Sequence, residues 1–110
     1  MNVVAVAGRM VADPELRYTT TGVPVVSFRV AVRKVGKKEE GGDDADFFNV
    51  VAWRKTAEFV GNYFVKGGMI GVSGYLQTRT YETDGVKKYV TEIVADRVFF
   101  VGPKGDQNGG

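Results

Sequence analysis

The chain has 110 residues, a formal charge of +2, and neither cysteine nor histidine. That length suits one compact domain with a modest core rather than two. The missing residue types exclude disulfides and thiol nucleophiles, and they remove the commonest general base and metal ligand. No apolar run approaches the roughly 20 residues of a membrane span, and no signal peptide is read ahead of the first strand. The net charge is too small to imply a polyanionic partner by itself, but its distribution is uneven. Arg9, Arg17, Arg29, Arg33, Lys34, Lys37 and Lys38 face only Asp13 and Glu15 in the first third, whereas Glu39, Glu40, Asp43, Asp44 and Asp46 crowd into one short stretch.

In chain order, residues 2–10 read as a first strand that closes at Gly8-Arg9. Residues 11–22 hold Asp13-Pro14 and a turn at Thr19-Thr20-Thr21-Gly22, a connection with room for a short strand over 16–19. Residues 25–33 alternate cleanly: Val26, Phe28, Val30 and Val32 on one face, Ser27, Arg29, Ala31 and Arg33 on the other. This is the pattern of a half-buried antiparallel strand with a basic outer face. Residues 36–45 read as a charged, glycine-containing hairpin loop.

The next strand, residues 47–53, is rich in aromatic and β-branched side chains. A regular strand sends Phe47, Asn49, Val51 and Trp53 to one face and Phe48, Val50 and Ala52 to the other. It ends beside Arg54 and Lys55. A helix is predicted over 56–65, where Ala57, Val60 and Phe64 form a stripe that suits a barrel plug, with no strong N-cap and a stop at Gly67-Gly68. Residues 69–81 form a long strand with Ile70, Val72, Gly74 and Leu76 on one side and Ser73, Tyr75, Gln77, Arg79 and Tyr81 on the other. A turn around Asp84-Gly85 leads to a last strand over 88–101. The domain is expected over 1–103, with a disordered tail over 104–110.

Five strand blocks with one short helix between the third and fourth match an all-β, five-stranded Greek-key barrel, the OB-fold. Gly71 and Gly74 inside a strand fit the tight bends of a small barrel. A meander or SH3-like barrel is the alternative.

Compared across strands, the outer faces carry Arg29 and Arg33, then Phe47, Asn49 and Trp53, then Tyr75, Gln77, Arg79 and Tyr81, with carboxylates nearly absent from the strands. Rings interleaved with amides and guanidiniums stack splayed bases while the cations follow the backbone. The same residue types suit a protein–protein interface, and a pair of aromatics also suits a core. The repetition of cations on adjacent strands favours nucleic acid. Duplex reading by an inserted recognition helix is excluded because the single helix is short and not basic. An enzyme would depend on carboxylates such as Asp43, Asp44 and Asp46, which fall in a loop rather than a pocket. That loop also lacks the glycine and terminal glutamate of an EF-hand, so neither a metal nor a cofactor is expected. No residue announces a contact to a 2′-hydroxyl, so RNA is not separated from DNA.

Several pieces in order carry a resemblance: Val6-Ala7-Gly8-Arg9-Met10, Asp13-Pro14-Glu15-Leu16-Arg17-Tyr18-Thr19, Phe47-Phe48-Asn49-Val50-Val51-Ala52-Trp53, Gly74-Tyr75-Leu76-Gln77-Thr78-Arg79-Thr80-Tyr81 and Thr91-Glu92-Ile93-Val94-Ala95-Asp96. With Ala57-Glu58 and residues 63–67, they make the sequence similar to the bacterial single-stranded DNA-binding protein family over about residues 2–103. The resemblance implies an OB-fold homotetramer that wraps single-stranded DNA without sequence preference in replication, recombination and repair, in the bacterial cytoplasm at the nucleoid. The family's stacking positions fall on Phe47, Trp53 and Tyr81, and its basic and polar positions on Arg29, Arg33, Gln77 and Arg79.

The sequence departs from the family pattern at two places. An aromatic that many members place past the second strand is replaced by Val35-Gly36-Lys37, which leaves one stacking platform weaker. Members also end in a long linker and an acidic, aromatic-tipped tail that docks partners. The residues here run to Gln107-Asn108-Gly109-Gly110, so tail-mediated partners are not expected of them. For self-association, the N-terminal strand offers an edge, and Phe48 is a candidate interface residue.

Overall fold

The structure, a computed structural model, describes residues 1–35 and 44–102. Its elements are β1 (Val4–Met10), β2 (Glu15–Tyr18), β3 (Pro24–Arg33), β4 (Ala45–Trp53), α1 (Arg54–Tyr63), β5 (Met69–Thr83) and β6 (Val86–Phe99). Of the loop expected over 36–45, only Asp44 and Ala45 are described, and Ala45 already belongs to β4. The tail expected over 104–110 lies outside the described residues.

All six strands form one sheet in the order β1-β5-β6-β4-β3-β2, and an extra β1–β3 pairing closes it into a ring. β1 runs antiparallel to β5 from Val4↔Gly74 to Arg9↔Met69, then reaches across to β3 at Arg9↔Ala31 and Met10↔Val30. β4 and β6 pair in parallel at Val50↔Ile93 and Val51↔Val94. Without the short β2, the barrel has the expected five strands of an OB-fold, with α1 between the third and fourth of them. The sixth strand, β2, occupies the connection in which a short strand was foreseen, one residue earlier, and pairs with the start of β3 from Glu15↔Ser27 to Tyr18↔Pro24. The Thr-rich turn between them is held by Thr19: its hydroxyl accepts from the Val23 N–H at 3.1 Å, and its carbonyl accepts from Gly22 at 2.9 Å.

Strand alternation fills the barrel. Val26, Val30, Val50, Ile70, Val72 and Ile93 are fully buried, and each contributes roughly 1.5–3 kcal/mol through removal from water. Phe48, the candidate interface residue, is partly buried against this core and keeps part of its surface exposed.

The helix starts and ends two residues earlier than predicted, at Arg54–Tyr63, because the chain turns straight from β4 into it. Arg54 takes φ 59 at that corner, and no side chain caps the N-terminus. The apolar stripe is as read: Ala57, Val60 and Phe64 are buried. Phe64 itself, however, is the extended C-cap, and Gly67 (φ 85) marks the following turn rather than the helix end. Phe64 stacks on Phe100 at 4.9 Å, and Phe59 meets both rings edge-on, so four aromatic residues including Tyr63 close one end of the barrel.

The β5–β6 hairpin is longer than predicted on both sides of its turn. Asp84 (φ 55) and Gly85 (φ 78) form a two-residue turn with both residues left-handed, which continues the strand twist. The β5–β6 register shifts at Ser73/Gly74, with Asp96 the extra residue on β6. Past Tyr75 and Leu76, whose partners Val94 and Ile93 still pair with β4, the two strands pair only with each other among the described residues. Leu76, expected to point inward with Ile70 and Val72, lies just past the end of the β1–β5 ladder at Val4↔Gly74 and is 43% exposed. The Asn2 side chain extends the β1–β5 ladder there: its amide donates to the Leu76 carbonyl and accepts from the Leu76 N–H, both at 2.8 Å.

Gly8 is required at the closure, because a Cβ there would collide with the Ala31 carbonyl of β3. Gly8→Ala should therefore lower stability by about 1–3 kcal/mol, as overpacking does. Chemical denaturation checks this, with Gly22→Ala as a comparison in which the added Cβ meets nothing but the backbone is strained (φ 87).

Candidate nucleic-acid interface

The outer face can be built from the register. The first row across the strands is Arg17 of β2, Val25 of β3 and Trp53 of β4. The second runs Glu15, Ser27, Val51, Val94 and Tyr75 over five strands. Arg29 and Asn49 face each other in the third row, and Ala31 and Phe47 in the fourth. On the hairpin, Gln77 pairs with Glu92, Arg79 with Val90, and Tyr81 with Lys88.

Phe47, Trp53, Tyr75 and Tyr81 are 43–48% exposed. The reading in which Phe47 and Trp53 fill a core is thus excluded. Val51 on the same face is only 8% exposed and forms an apolar floor between the rings. The Arg29 guanidinium lies over the Phe47 ring, 5.2 Å from its centroid. Such an exposed cation–π contact contributes about 0.5–1 kcal/mol and fixes both side chains.

A groove of about 380 Å³ opens between the β1–β2 connection and the hairpin, with Ser27, Arg29, Asn49, Arg79, Val90 and Glu92 among its lining residues. In it the Glu92 carboxylate accepts from Arg79 Nε at 2.7 Å and from Gln77 Nε2 at 3.1 Å, both on Oε1. The Glu92 side chain is 9% exposed and that of Arg79 is 56% exposed. Asp13 also lines this groove, and its Oδ1 accepts from the Lys66 N–H at 2.9 Å, tying the β1–β2 connection to the turn after α1.

The structure therefore gathers Arg29, Phe47, Asn49, Trp53, Tyr75, Gln77, Arg79 and Tyr81 on one face. Arg33 is exposed at the far end of β3 and lines a separate groove with Arg9 and Ala31. Arg54 and Lys55 follow the strand end as read, but they are the first residues of α1, turned away from strand alternation by the left-handed backbone at Arg54.

Three residues escaped the sequence reading. Arg17 joins Trp53 through the β2–β3 ladder, and the parity of that short strand was its only signal. Lys88 stands opposite Tyr81, which required the hairpin register. Glu92, with Glu15, corrects the expectation of strands nearly free of carboxylates, and its role rests on a contact between β5 and β6 that no single strand displays.

The comparisons agree with this geometry. The family model described as "Single-strand binding protein family" matches residues 1–101. A "Single-stranded DNA-binding protein" of Oceanobacillus iheyensis is 48% identical over 110 residues, covering 99% of this chain and 68% of the relative. One of Bacillus cereus is 49% identical over 113 residues, with 99% and 66% covered. "Single-stranded DNA-binding protein B" of Bacillus subtilis is 47% identical over 104 residues, with 94% and 92% covered. The chain thus spans about two thirds of the length of the first two relatives and nearly all of the third. With an OB-fold barrel and a match over residues 1–101, the chain belongs to the single-strand binding protein family.

Proposed function

We propose that this chain binds and protects single-stranded DNA, without catalysis and without reading sequence, in replication, recombination and repair. The observation that carries this is the row of half-exposed rings, Trp53, Phe47, Tyr75 and Tyr81, interleaved with Arg29, Asn49, Gln77 and Arg79 on one sheet face. Every base has a π-face, so rings spaced along a sheet stack bases of any identity. The guanidiniums and Lys88 meet the backbone phosphates. The names of the relatives support single-stranded DNA as the polymer, and the proposed setting is the bacterial cytoplasm at the nucleoid. A titration against single-stranded DNA, duplex DNA and RNA of equal length at two salt concentrations tests the reading. Preference for duplex would overturn it.

The working unit we propose is a homotetramer, with a symmetric dimer as the minimum. β1 uses one edge for β5 from Val4 to Arg9 but gives β3 only Arg9 and Met10 on the other. Among the described residues, the second edge of Val4–Gly8 has no strand partner. Such an edge pairs readily with its own copy about a two-fold axis. Light scattering across micromolar concentrations should return a multiple of the 12.0 kDa chain, and a monomer mass throughout would overturn this.

Phosphate contacts make affinity fall as salt rises, with log K losing about 0.7 per log salt for each phosphate neutralised on a single strand. Arg29→Gln and Arg33→Gln together should shallow that slope by up to about 1.4 while the melting temperature holds, both side chains being exposed. An unchanged slope would place the backbone path elsewhere.

Trp53, the only tryptophan, reports directly on stacking. Its fluorescence should be quenched by oligo-dT and saturate at a defined number of nucleotides per subunit. Trp53→Ala should weaken binding by roughly one to two decades, since stacking contributes on the order of 1–3 kcal/mol per base. Because the ring is 45% exposed, the melting temperature should change little. Unchanged affinity in a folded variant would remove Trp53 from the binding face.

A further inference from the structure

We infer that Glu92 is the internal counterion of the proposed binding face: it positions Arg79 and Gln77 as hydrogen-bond donors while cancelling the charge that Arg79 would otherwise offer a phosphate. This rests on the single-strand binding reading above and assigns a role within it to a residue that points the opposite way in charge.

The geometry carries the inference. Glu92 lies on β6 in the middle of the face, with its side chain nine-tenths buried, and its Oε1 takes both the Arg79 Nε–H (2.7 Å) and the Gln77 amide (3.1 Å). A buried carboxylate without such partners is strongly unfavourable, so the two donors are held to it in the free protein. Gln77 is the register partner of Glu92, and Arg79 is two residues further along the same strand face, so the clamp follows from the β5–β6 ladder.

Arg79 uses only its Nε in this contact, and its side chain is still more than half exposed. Its terminal guanidinium nitrogens have no protein partner among the described residues, which leaves them available to a phosphate or a base edge. Arg29 differs: it makes no ion pair among the described residues and rests on an aromatic ring. Two arginines on one face therefore do different work. Arg29 brings an uncompensated positive charge, and neutralising a phosphate with it releases a condensed counterion. Arg79 brings directed hydrogen bonds with little net charge, because its counterion is built into the protein. The consequence is a face that grips a strand more weakly and with less salt sensitivity than its count of arginines implies.

The experiment measures oligo-dT binding by Trp53 quenching over a salt series, with melting temperatures recorded in parallel. Glu92→Gln keeps an acceptor for Arg79 and removes the charge. It should steepen the dependence of log K on log salt by about 0.7, as one more phosphate is neutralised, and tighten binding several-fold at low salt. In the double variant Arg79→Gln, Glu92→Gln both charges are gone, and a neutral amide pair replaces the ion pair, so the slope should return to that of the unaltered protein. Arg29→Gln in parallel should lose about 0.7. A purely structural role for Glu92 moves the melting temperature and leaves the slope alone. A folded Glu92→Gln protein with an unchanged slope, or a double variant that loses as much slope as Arg29→Gln, overturns the inference. If Glu92→Gln does not fold, the double variant decides alone. Failure of the unaltered protein to bind oligo-dT at all would overturn the single-strand reading and this inference with it, whereas normal binding with an unresponsive slope overturns only the inference.

Discussion

A sheet that must hydrogen-bond both of its ends to one short strand has little freedom, and β1 is that strand. It lies along β5 from Val4 to Arg9 and then crosses to β3 at Arg9 and Met10, so the ring closes over two residues. The crossing brings two backbones together so closely that only a residue without Cβ fits at position 8. The same corner is fastened by Met10, whose N–H donates to the Gly68 carbonyl and whose carbonyl accepts from Gly67, each at 2.9 Å. Arg9 adds a bond from Nη1 to the Gly67 carbonyl at 2.8 Å. The turn after α1 is thereby locked to the closure, which seats the helix and its Phe64 plug at the barrel end.

Closure decides what every strand residue does. Once the ring is shut, one side of each barrel strand faces the interior and the other faces outward, where Val51 and Glu92 are nonetheless covered by their neighbours. The interior takes Val26, Val30, Val50, Ile70, Val72 and Ile93. The exterior is left with a continuous strip from β2 through β3, β4 and β6 to β5, because the parallel β4–β6 pairing joins the two halves of the sheet side by side. Without the β4–β6 pairing, the aromatic side chains of β4 and those of β5 would lie in separate halves of the sheet. Past the ends of the β1–β5 and β4–β6 pairings, β5 and β6 continue as a hairpin, so Gln77, Arg79 and Tyr81 extend the strip beyond the buried strand segments.

The strip mixes interaction types that respond differently to solvent. Ring stacking is insensitive to salt and indifferent to base identity, whereas phosphate contacts weaken as salt rises. Glu92 adds a third element, a buried anion that fixes two donors in place. On the proposed binding face, that arrangement sets donor geometry beside charge.

Much of this was legible in the residue order. Alternation in 25–33 and 47–53 assigned inner and outer faces correctly, since a side-chain period of two is a local property of an extended backbone. The Asp84-Gly85 turn and the Ala57, Val60, Phe64 stripe were equally local and equally sound. Resemblance in ordered motifs located Phe47, Trp53 and Tyr81. Helix bounds shifted by two residues because the corner at Arg54 adopts a left-handed backbone that no arginine advertises. Leu76 kept its parity but lost its burial, since how far β1 covers β5 is set by where the β1–β5 ladder ends, at Val4↔Gly74. Arg17, Lys88 and above all Glu92 became visible only when strands distant in sequence were set in register. The chain alone determines which side of each strand a residue occupies; only the tertiary structure decides which residues of different strands meet, because register is a property of pairs.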